Sequence, residues 1–575
     1  MSIQLDPHQS AAVEAAGHCL ISAGPGSGKT SVITERAARL LSSHGSHRLA
    51  AVTFTRDAAL EIKERILKRS GREVAKRVAV GSFHSLCLAQ IRKAGVPLGR
   101  LISEGERYSL IRRALQSSAA DINLEEAVKA IDAFKSFASP PAGEDTPSIA
   151  VYRDYSRILR EESAMDFQDI LILAVQHMRD KTLKPMPVRW MLVDEFQDTD
   201  EIQYEWIKLH ADAGVEITVV GDDDQSLYSW RNAMGYEGMM RFADDHKALR
   251  MVLPMNYRCA PVILQAADRL IQVNDKRVQK KLQAFRTIQG QIEVVKAATR
   301  DSEVETIAAR IQVECDQQWA VLCRSNRILD IIELELTRKQ IPYRRVGGGS
   351  FWDRAEPAVM IGMLQSLLDG RLIGVTGVLH FAGVPQEKLE RLYTQRQRDI
   401  PSALLGHADA LEKDGETAPW LKTMRKMAEF WQDWAGMNRN GETNRLVSAI
   451  SIWLSSIAAP KRKHYFLWAG QALTKVHGET LAQRLMMLKR DKKERGAEEA
   501  QVTLTLMTLH ASKGLEFDNV WIMSTEEGTL PHSDSIMDEE RRLMYVGMTR
   551  ARKNLYISHS MEDVQPSRFI REAGL

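Results

Sequence analysis

The chain has 575 residues, 44% of them hydrophobic and 27% charged, a balance typical of globular proteins and not of disordered or fibrous ones. Its 78 basic and 75 acidic residues leave a net charge of +3, so any nucleic-acid surface must be a local patch. The five cysteines form no CxxC pair and there is no run of about 18 apolar residues. We therefore predict a cytoplasmic protein without disulfides, a zinc framework or a membrane span.

Compact apolar runs alternate with amphipathic helical patterns along the chain. In chain order, these runs are Cys19–Ala23, Leu49–Phe54, Trp190–Val193 and Ile217–Val220, followed by Gln291–Val295, Trp319–Cys323 and Asn519–Met523. Buried parallel strands have this composition, with polar chemistry at their carboxyl ends. The two series predict two α/β cores in one chain.

Two mostly helical segments interrupt these cores. The first contains the loop ASPPAGEDTP, and the second ends in the charge run KRDKKERGAEEA, which we interpret as a solvated helix with i,i+4 ion pairs. The predicted boundaries are 1–90 and 165–260 for the first core, 91–164 for its helical insertion, 261–370 and 500–575 for the second core, and 371–499 for its insertion.

The stretch AGPGSGKT follows an apolar run and precedes the helical pattern SVITERAARLL. It matches GxxxxGK[ST] except that Ala23 stands at the first position. Glycines at this spacing turn backbone N–H groups towards an anion, and the helix N-terminus adds partial positive charge. We predict that Lys29 reaches the β- and γ-phosphates of a nucleotide and that the Thr30 hydroxyl binds Mg²⁺. The predicted nucleotide-binding residues of this loop are Ala23, Gly24, Pro25, Gly26, Ser27, Gly28, Lys29, Thr30 and Ser31.

A pair of acidic residues follows another apolar run, in MLVDEFQDT. Nucleotide hydrolysis needs such carboxylates at a strand end near the phosphates. We predict that Asp194 holds the Mg²⁺ shell and that Glu195 orients or deprotonates the attacking water. An isolated acidic pair could equally cap a helix, but together with the glycine-rich loop it favours a hydrolytic site.

These motifs, with VVGDDDQSLYSWRNA, NYRC, TLHASKGLEF and EERRLMYVGMTRAR, resemble the UvrD/Rep/PcrA group of superfamily 1 DNA helicases, in family order from Leu5 to Arg552. The resemblance implies an α/β fold of two RecA-like parallel-sheet cores with ATP in the cleft between them, each core carrying a mostly helical insertion. It also implies ATP and Mg²⁺ as cofactors, 3′-to-5′ movement on single-stranded DNA, binding of single/double-strand junctions, and a monomer or weak dimer.

The resemblance assigns further nucleotide contacts. The residues at base and ribose positions are Gln9, which reads adenine, Tyr257, which stacks on it, and Glu516, on the ribose side. The residues at γ-phosphate positions are the sensor Gln225 and two arginine fingers, Arg258 and Arg550. Cations at the γ-phosphate neutralise charge that develops in the transition state. We expect Arg258 and Arg550 to act mainly from the second core, which would place ATP between the cores.

The resemblance also assigns a track for single-stranded DNA. Binding that is independent of sequence needs phosphate contacts and rings on which bases stack. The residues at these positions are Thr53, Phe54, Thr55, Ser82, His84, Tyr228, Trp230, Arg231, Thr508 and His510. Phe54 and Trp230 could instead be ordinary core residues.

Three stretches depart from the family pattern. Ser31 stands where many relatives carry an arginine that contacts the nucleotide, and Arg36 lies one helical turn further along. TFTRDA has an Arg-Asp pair where Asn-Lys is common. In the second insertion, FAGVPQEKLERL only partly resembles a turn that contacts duplex DNA, and the match rests mostly on Gly383. We expect a working ATP site in which one arginine is absent.

Other functions remain open. Because both insertions are short for the group, the protein could be a DNA-stimulated ATPase that remodels or strips protein–DNA complexes without processive unwinding. It could also be a nucleotide-gated subunit whose cargo is a partner protein, or a motor on RNA. The resemblance fits roles in DNA repair, replication, and mobile-element or defence DNA processing alike.

Overall fold

The computed structural model describes residues 4–43, 45–137, 146–393, 399–488, 502–562 and 564–575. The chain divides into two compact units: unit 1 is Met1–Ile292, Pro531–Asn554 and Ser567–Leu575, and unit 2 is Glu293–Leu530 and Leu555–Pro566. Residues 138–145 of the predicted loop and the charge run over 489–500 lie outside the described residues.

The elements up to residue 284 belong to unit 1. In chain order they are α1 (Pro7–Glu14), β1 (Cys19–Ala23), α2 (Lys29–Ser43), β2 (Leu49–Thr53), α3 (Arg56–Ala75), β3 (Val78–Ser82), α4 (Phe83–Ala94), β4 (Arg100–Leu101), α5 (Glu104–Ser118), α6 (Leu124–Ser136), α7 (Pro147–Glu161), β5 (Ala164–Met165), α8 (Asp169–Arg179), β6 (Trp190–Val193), α9 (Glu201–Asp212), β7 (Glu216–Gly221), α10 (Gly235–Asp245), β8 (Leu249–Leu253), β9 (Met255–Asn256), α11 (Pro261–Ile271) and β10 (Gln283–Ala284).

The remaining elements include those of unit 2. They are β11 (Gln291–Ala297), α12 (Arg300–Val313), β12 (Trp319–Cys323), α13 (Asn326–Arg338), β13 (Arg344–Val346), α14 (Ala355–Asp369), α15 (Ile373–Phe381), α16 (Gln386–Tyr393), α17 (Ile400–Lys413), α18 (Trp420–Arg439), α19 (Thr443–Ile457), α20 (Lys463–Lys475), α21 (481–488), β14 (Leu504–Thr508), β15 (Phe517–Ile522), α22 (Met537–Met548), β16 (Ala551–Ser560) and α23 (Arg568–Glu572).

A six-stranded parallel sheet of order β3-β2-β6-β7-β1-β8 forms the centre of unit 1. Its middle strands are buried on both faces, as their apolar sequences predict; every residue of β1, β2 and β6 is buried. Parallel strands end at the same edge, so the segments that follow β1, β2, β6 and β7 meet there. These segments carry most of the residues predicted to bind nucleotide or DNA.

The second sheet has the order β11-β16-β15-β12-β14-β13, with parallel pairing of β12 with β14 and β15. The prediction of two α/β cores is therefore confirmed, and all seven predicted strands are present with ends within two residues of those expected. Helices α5 to α7 pack around an apolar cluster of their own, and α14 to α20 pack around another, as expected for helical insertions.

The contact-based division differs from the predicted boundaries near the carboxyl end. Residues 500–575 were expected to complete the second core, but Pro531–Asn554 packs with unit 1, where α22 contacts α11. Arg258 and Arg550, both expected to act mainly from the second core, therefore belong to unit 1 by their contacts. Among the described residues, we find no helix with the length and apolarity needed to cross a membrane.

Candidate functional site

The loop between β1 and α2 has the backbone shape and the room of an anion cradle. Gly26 and Gly28 have φ angles of +61° and +79°, in the left-handed region that favours glycine. A Cβ atom on Gly26 would lie 2.6 Å from Cβ of Arg258, and one on Gly28 would lie 2.8 Å from Nε2 of Gln9. Ser27 Oγ is buried and has no hydrogen-bond partner among the described residues. These features and the N-terminus of α2 fit a bound phosphate.

The rest of the loop is fixed by its neighbours. Ala23 ends β1 in the buried sheet, and the Gly24 N–H donates to the Leu253 carbonyl over 3.2 Å. The Pro25 carbonyl accepts a 2.6 Å hydrogen bond from Nδ2 of Asn256. Thr30 and Ser31 follow Lys29 in the first turn of α2.

Arg36 does not take the place of the arginine that the family pattern has at Ser31. Its buried guanidinium donates to the Ala15 carbonyl over 2.8 Å and to Thr218 Oγ1 over 3.0 Å. Ala15 is the C-cap of α1, the helix that carries Gln9. Arg36 therefore anchors α1 and does not face the loop's anion cradle.

The two residues predicted to contact the adenine also brace the loop. Gln9 Nε2 donates to the Ser27 carbonyl over 2.9 Å, and Gln9 Oε1 accepts from the Asp6 N–H over 3.1 Å. The Tyr257 N–H donates to the Gly26 carbonyl over 2.9 Å, and the Tyr257 hydroxyl donates to Asp6 Oδ2 over 2.6 Å. Asp6 thus holds both side chains beside the loop.

The predicted metal-binding and hydrolytic carboxylates follow β6 directly. Lys29 Nζ lies 3.4 Å from Glu195 Oε2, so the loop lysine and this acid meet. The Asp194 N–H donates to the Val52 carbonyl over 2.9 Å, which continues the sheet to the acidic pair. Burial and the neighbouring Glu195 carboxylate raise the pKa of Asp194 to about 7. The oxygen atoms of Asp194 and Thr30 are hard donors, and the Asp194 and Glu195 carboxylates are adjacent. This combination suits a divalent cation.

The predicted γ-phosphate residues also meet within unit 1. Arg550 Nη2 donates to Gln225 Oε1 over 3.1 Å, and Arg258 Nη1 donates to the Thr549 carbonyl over 3.3 Å. Burial, with a contribution from the charge of Arg258, lowers the pKa of Arg550 to about 9. Two neighbouring cations, one of them fully buried, favour an anion between β7 and the α22–β16 connection.

A buried ion cluster lies directly before Gln225. Lys280 Nζ lies 2.6 Å from Asp222, 2.7 Å from Asp223 and 3.0 Å from Asp224, and Arg277 pairs with Asp224 through two hydrogen bonds. The three carboxylates are close enough to hold a metal ion, but Lys280 and Arg277 already pair with them. Sequence reasoning missed this cluster, since only the run of three Asp residues hinted at it.

The DNA candidates at the ends of β2 and β3 are partly structural. Thr53 is buried, Thr55 Oγ1 accepts from the Ala58 N–H over 3.2 Å, and Ser82 is the N-cap of α4. The Phe54 ring is half-buried, with its centroid 5.7 Å from that of Phe83. Phe54 is therefore partly a core residue, as the alternative interpretation predicted, and partly accessible.

His84 stacks on Phe167, a ring that sequence reasoning missed. The ring centroids lie 4.0 Å apart at an interplanar angle of 19°, and Phe167 is 53% exposed. His84 Nε2 lies 3.3 Å from Gln168 Oε1, and burial lowers the pKa of His84 to about 4. A neutral imidazole and an exposed phenyl ring form an apolar platform. The signal in the sequence was DFQDI, an aromatic residue among polar ones.

Trp230 forms a second exposed platform and is not a core residue. Its side chain is 65% exposed, the Arg231 guanidinium lies 4.5 Å above its ring, and the Tyr228 centroid is 6.4 Å away. Tryptophan with an adjacent cation is suited to stack on a base and contact its phosphate.

The last two residues of α6 anchor both platforms. Lys135 Nζ contacts Asp166 over 2.8 Å and Asp169 over 2.7 Å, which fixes the turn that presents Phe167. Ser136 Oγ accepts a 2.8 Å hydrogen bond from Nδ2 of Asn232, which follows the Trp230 turn. The first insertion therefore positions two aromatic rings of unit 1.

Three predicted residues lie in unit 2. Thr508 ends β14 and its Oγ1 accepts from the Ala511 N–H over 3.3 Å, while His510 begins a short 3₁₀ turn. Glu516 is half-buried just before β15. Gly383, the candidate duplex-contacting turn, has φ of +93° between α15 and α16.

Comparison with known proteins matches both parts of the chain to one group. The UvrD/REP helicase N-terminal domain matches residues 5–247, and the UvrD-like helicase C-terminal domain matches 251–371 and 471–562. The "ATP-dependent DNA helicase Rep" of Escherichia coli is 31% identical, with 99% of this chain and 94% of the relative covered. The "ATP-dependent DNA helicase PcrA" of Leuconostoc citreum is 28% identical, with 97% of this chain and 83% of the relative covered. Since the matches span both α/β cores, the chain belongs to the UvrD/Rep family of superfamily 1 helicases.

Proposed function

We propose that this protein is an ATP- and Mg²⁺-dependent DNA helicase that moves 3′-to-5′ along single-stranded DNA. The observation that carries the proposal is the meeting of Lys29 with Glu195, 3.4 Å apart, at the edge of the sheet where Arg550 also contacts Gln225. One unit thus contains the proposed phosphate-binding lysine, the hydrolytic carboxylate, the γ-phosphate sensor and an arginine finger. The relatives described above are ATP-dependent DNA helicases, which supports the same activity.

Each group has a separate task in hydrolysis. The glycine-rich loop and Lys29 bind the phosphates, and Glu195 orients the attacking water or takes its proton. Thr30 and Asp194 would hold Mg²⁺, which neutralises charge on the phosphate oxygens when it is bound. Gln225 senses the γ-phosphate, and Arg258 and Arg550 stabilise the negative charge of the transition state.

The sensor is covalently close to the track. Tyr228 and Trp230 follow Gln225 by three and five residues, in a short turn with Trp230 65% exposed. A shift of the sensor on hydrolysis therefore moves a stacking ring directly. Phe167, 53% exposed on the same unit, supplies a second ring. Stepwise loss and gain of base stacking, roughly 1–3 kcal/mol per base, suits translocation.

The setting follows from the family resemblance. We propose that the protein acts in the cytoplasm as a monomer or weak dimer, at junctions between single-stranded and duplex DNA. Its role would lie in DNA repair, replication, or mobile-element or defence DNA processing. Thr508 and His510 are proposed DNA contacts from unit 2, and Glu516 a ribose-side contact.

ATP hydrolysis measured without polymer, with single-stranded DNA and with RNA tests the proposal. We expect strong stimulation by DNA, loss of activity in Lys29→Ala and Glu195→Gln, and displacement of strands from duplexes with a 3′ tail but not with a 5′ tail. Hydrolysis that ignores DNA would favour a nucleotide-gated subunit with a protein partner, and equal stimulation by RNA would contradict the choice of track.

One observation favours a second candidate, a DNA-stimulated ATPase that remodels protein–DNA complexes. The alignment with the E. coli relative spans 641 positions, more than the 575 residues of this chain, so segments of the relative are missing here. Translocation on single strands that strips a bound protein, without strand displacement from a 3′-tailed duplex, would support this candidate over the helicase.

A further inference from the structure

Gln197 joins the hydrolytic carboxylate to the next strand. It lies in the 3₁₀ turn after β6 and is fully buried. Its Nε2 donates to Glu195 Oε2 over 2.6 Å, and its Oε1 accepts from the Asp222 N–H over 2.9 Å. The amide has only one orientation that satisfies both partners, because a carboxylate only accepts and a peptide N–H only donates.

The contacts of Gln197 continue to the γ-phosphate sensor. Asp222 Oδ2 accepts a 2.6 Å hydrogen bond from Nε2 of Gln225, and Gln225 Oε1 accepts from Arg550 over 3.1 Å. Glu195 and Arg550 are therefore joined by a continuous series of hydrogen bonds within unit 1, and this series is buried from Gln197 to Arg550. Buried polar networks with every member satisfied hold their side chains in one arrangement.

Glu195 depends on such a partner. Its φ of +51° lies in the left-handed region, and its Oε2 is shared by Gln197 at 2.6 Å and Lys29 at 3.4 Å. Gln197 makes the shorter of these two contacts, and Lys29 is also proposed to bind the phosphates. A Cβ atom on Gly221 would lie 2.7 Å from Gln197 Oε1, so the amide occupies room that this glycine leaves.

We propose that Gln197 is a positioning residue that sets the orientation of Glu195 according to the state of Gln225. This inference deepens the proposed function and rests on it. When Gln225 moves with the γ-phosphate, Asp222 and Gln197 transmit the shift to the carboxylate that handles the attacking water. Hydrolysis is thus favoured only while the sensor is engaged.

The variant Gln197→Met keeps the length of the side chain and removes both hydrogen bonds. We expect kcat of DNA-stimulated hydrolysis to fall about 100-fold, the effect of a catalytic group misplaced by about 1 Å, with binding of a fluorescent ATP analogue unchanged. Gln203→Met is the matched control, since Gln203 is buried on α9 and its amide donates to Asp200, outside the series. Activity equal to that of the control would overturn the inference, as would joint loss of nucleotide binding and thermal stability.

A second measurement separates positioning from an independent effect. In single-turnover hydrolysis, adding Gln197→Met to Glu195→Gln is expected to cause no further loss, because Gln197 acts through Glu195. Losses that multiply would overturn the inference. An inactive wild-type protein would instead overturn the proposed function, whereas an active wild type with an unaffected Gln197→Met variant overturns the role of Gln197 alone.

Discussion

Arg550 donates a hydrogen bond to Gln225 over 3.1 Å, although 325 positions separate the two residues in the sequence. Both side chains are buried, and Arg550 also donates from Nε to the Val546 carbonyl over 2.9 Å. Fixed donors that face a developing negative charge need no reorganisation during the reaction. The contact therefore presents a preorganised cation beside Gln225, the proposed γ-phosphate sensor.

Replacing Arg550 with lysine keeps the charge and removes the planar fork that reaches Gln225 and Val546 together. We expect Arg550→Lys to lower kcat of ATP hydrolysis about 1,000-fold, within the range of arginine-finger losses, with nucleotide affinity little changed. Steady-state hydrolysis and analogue binding measure the two quantities. Arg542→Lys, on the same α22–β16 segment, should behave as wild type. If both variants lose activity equally, Arg550 has no special role.

Lys280 pairs with all three carboxylates of a cluster that also holds Gln225, the proposed sensor, through Asp222. Removing its charge in Lys280→Met leaves Asp222, Asp223 and Asp224 with Arg277 as their nearby cation. Breaking a buried ion pair in this way costs about 3–5 kcal/mol, so we expect a clearly lower thermal midpoint and weakened hydrolysis. Lys281→Met removes an exposed neighbour and should change neither. Similar midpoints for the two variants, measured by differential scanning fluorimetry, would contradict the assignment.

The two exposed platforms should contribute separately to DNA binding. Trp230→Ala and Phe167→Ala are each expected to weaken single-stranded DNA binding by about 1–3 kcal/mol, the value of one stacked base. ATP hydrolysis without DNA should stay unchanged. Fluorescence anisotropy with a labelled oligonucleotide measures the loss, and Tyr108→Ala, which removes a ring that is 42% exposed on α5, is the control. Retained affinity in both platform variants would remove Trp230 and Phe167 from the track.

Sequence patterns predicted the residues whose chemistry follows a strand directly. Ala23, Asp194 and Gly221 each end a buried apolar run, or follow one, and parallel strands bring such ends to one edge. Local spacing was therefore sufficient to expect the loop and the acidic pair at this edge, whereas Gln225 was assigned by the family resemblance. The strand bounds followed for the same reason.

Partners that come from distant parts of the chain left only weak local signals. Lys280 lies in a polar stretch that reads as surface, yet it is fully buried against three carboxylates more than 50 positions earlier. Phe167 reads as an ordinary residue at the start of a helix until the His84 stack is seen. The position of Pro531–Asn554 in unit 1 likewise depends on packing with α11, which spacing along the chain does not encode.

His210 should make folding sensitive to acid through a fixed neutral imidazole. Its Nδ1–H donates to the Trp206 carbonyl over 2.8 Å, and its Nε2 accepts from the Met186 N–H over 3.1 Å. Burial lowers the pKa of His210 to about 4, below the unfolded value of about 6.5, so the unfolded state binds the proton more readily between these values. The stabilisation is complete above pH 6.5 and is lost towards pH 4, by on the order of 3 kcal/mol.

Thermal midpoints of wild type and His210→Gln should therefore converge as pH falls from 7.5 to 4.5. Subtracting the two curves cancels groups that they share, such as Asp200, and the exposed His8→Gln should run parallel to wild type. A difference in thermal midpoint between wild type and His210→Gln that stays constant with pH would show that the pKa of His210 is the same in the folded and unfolded states.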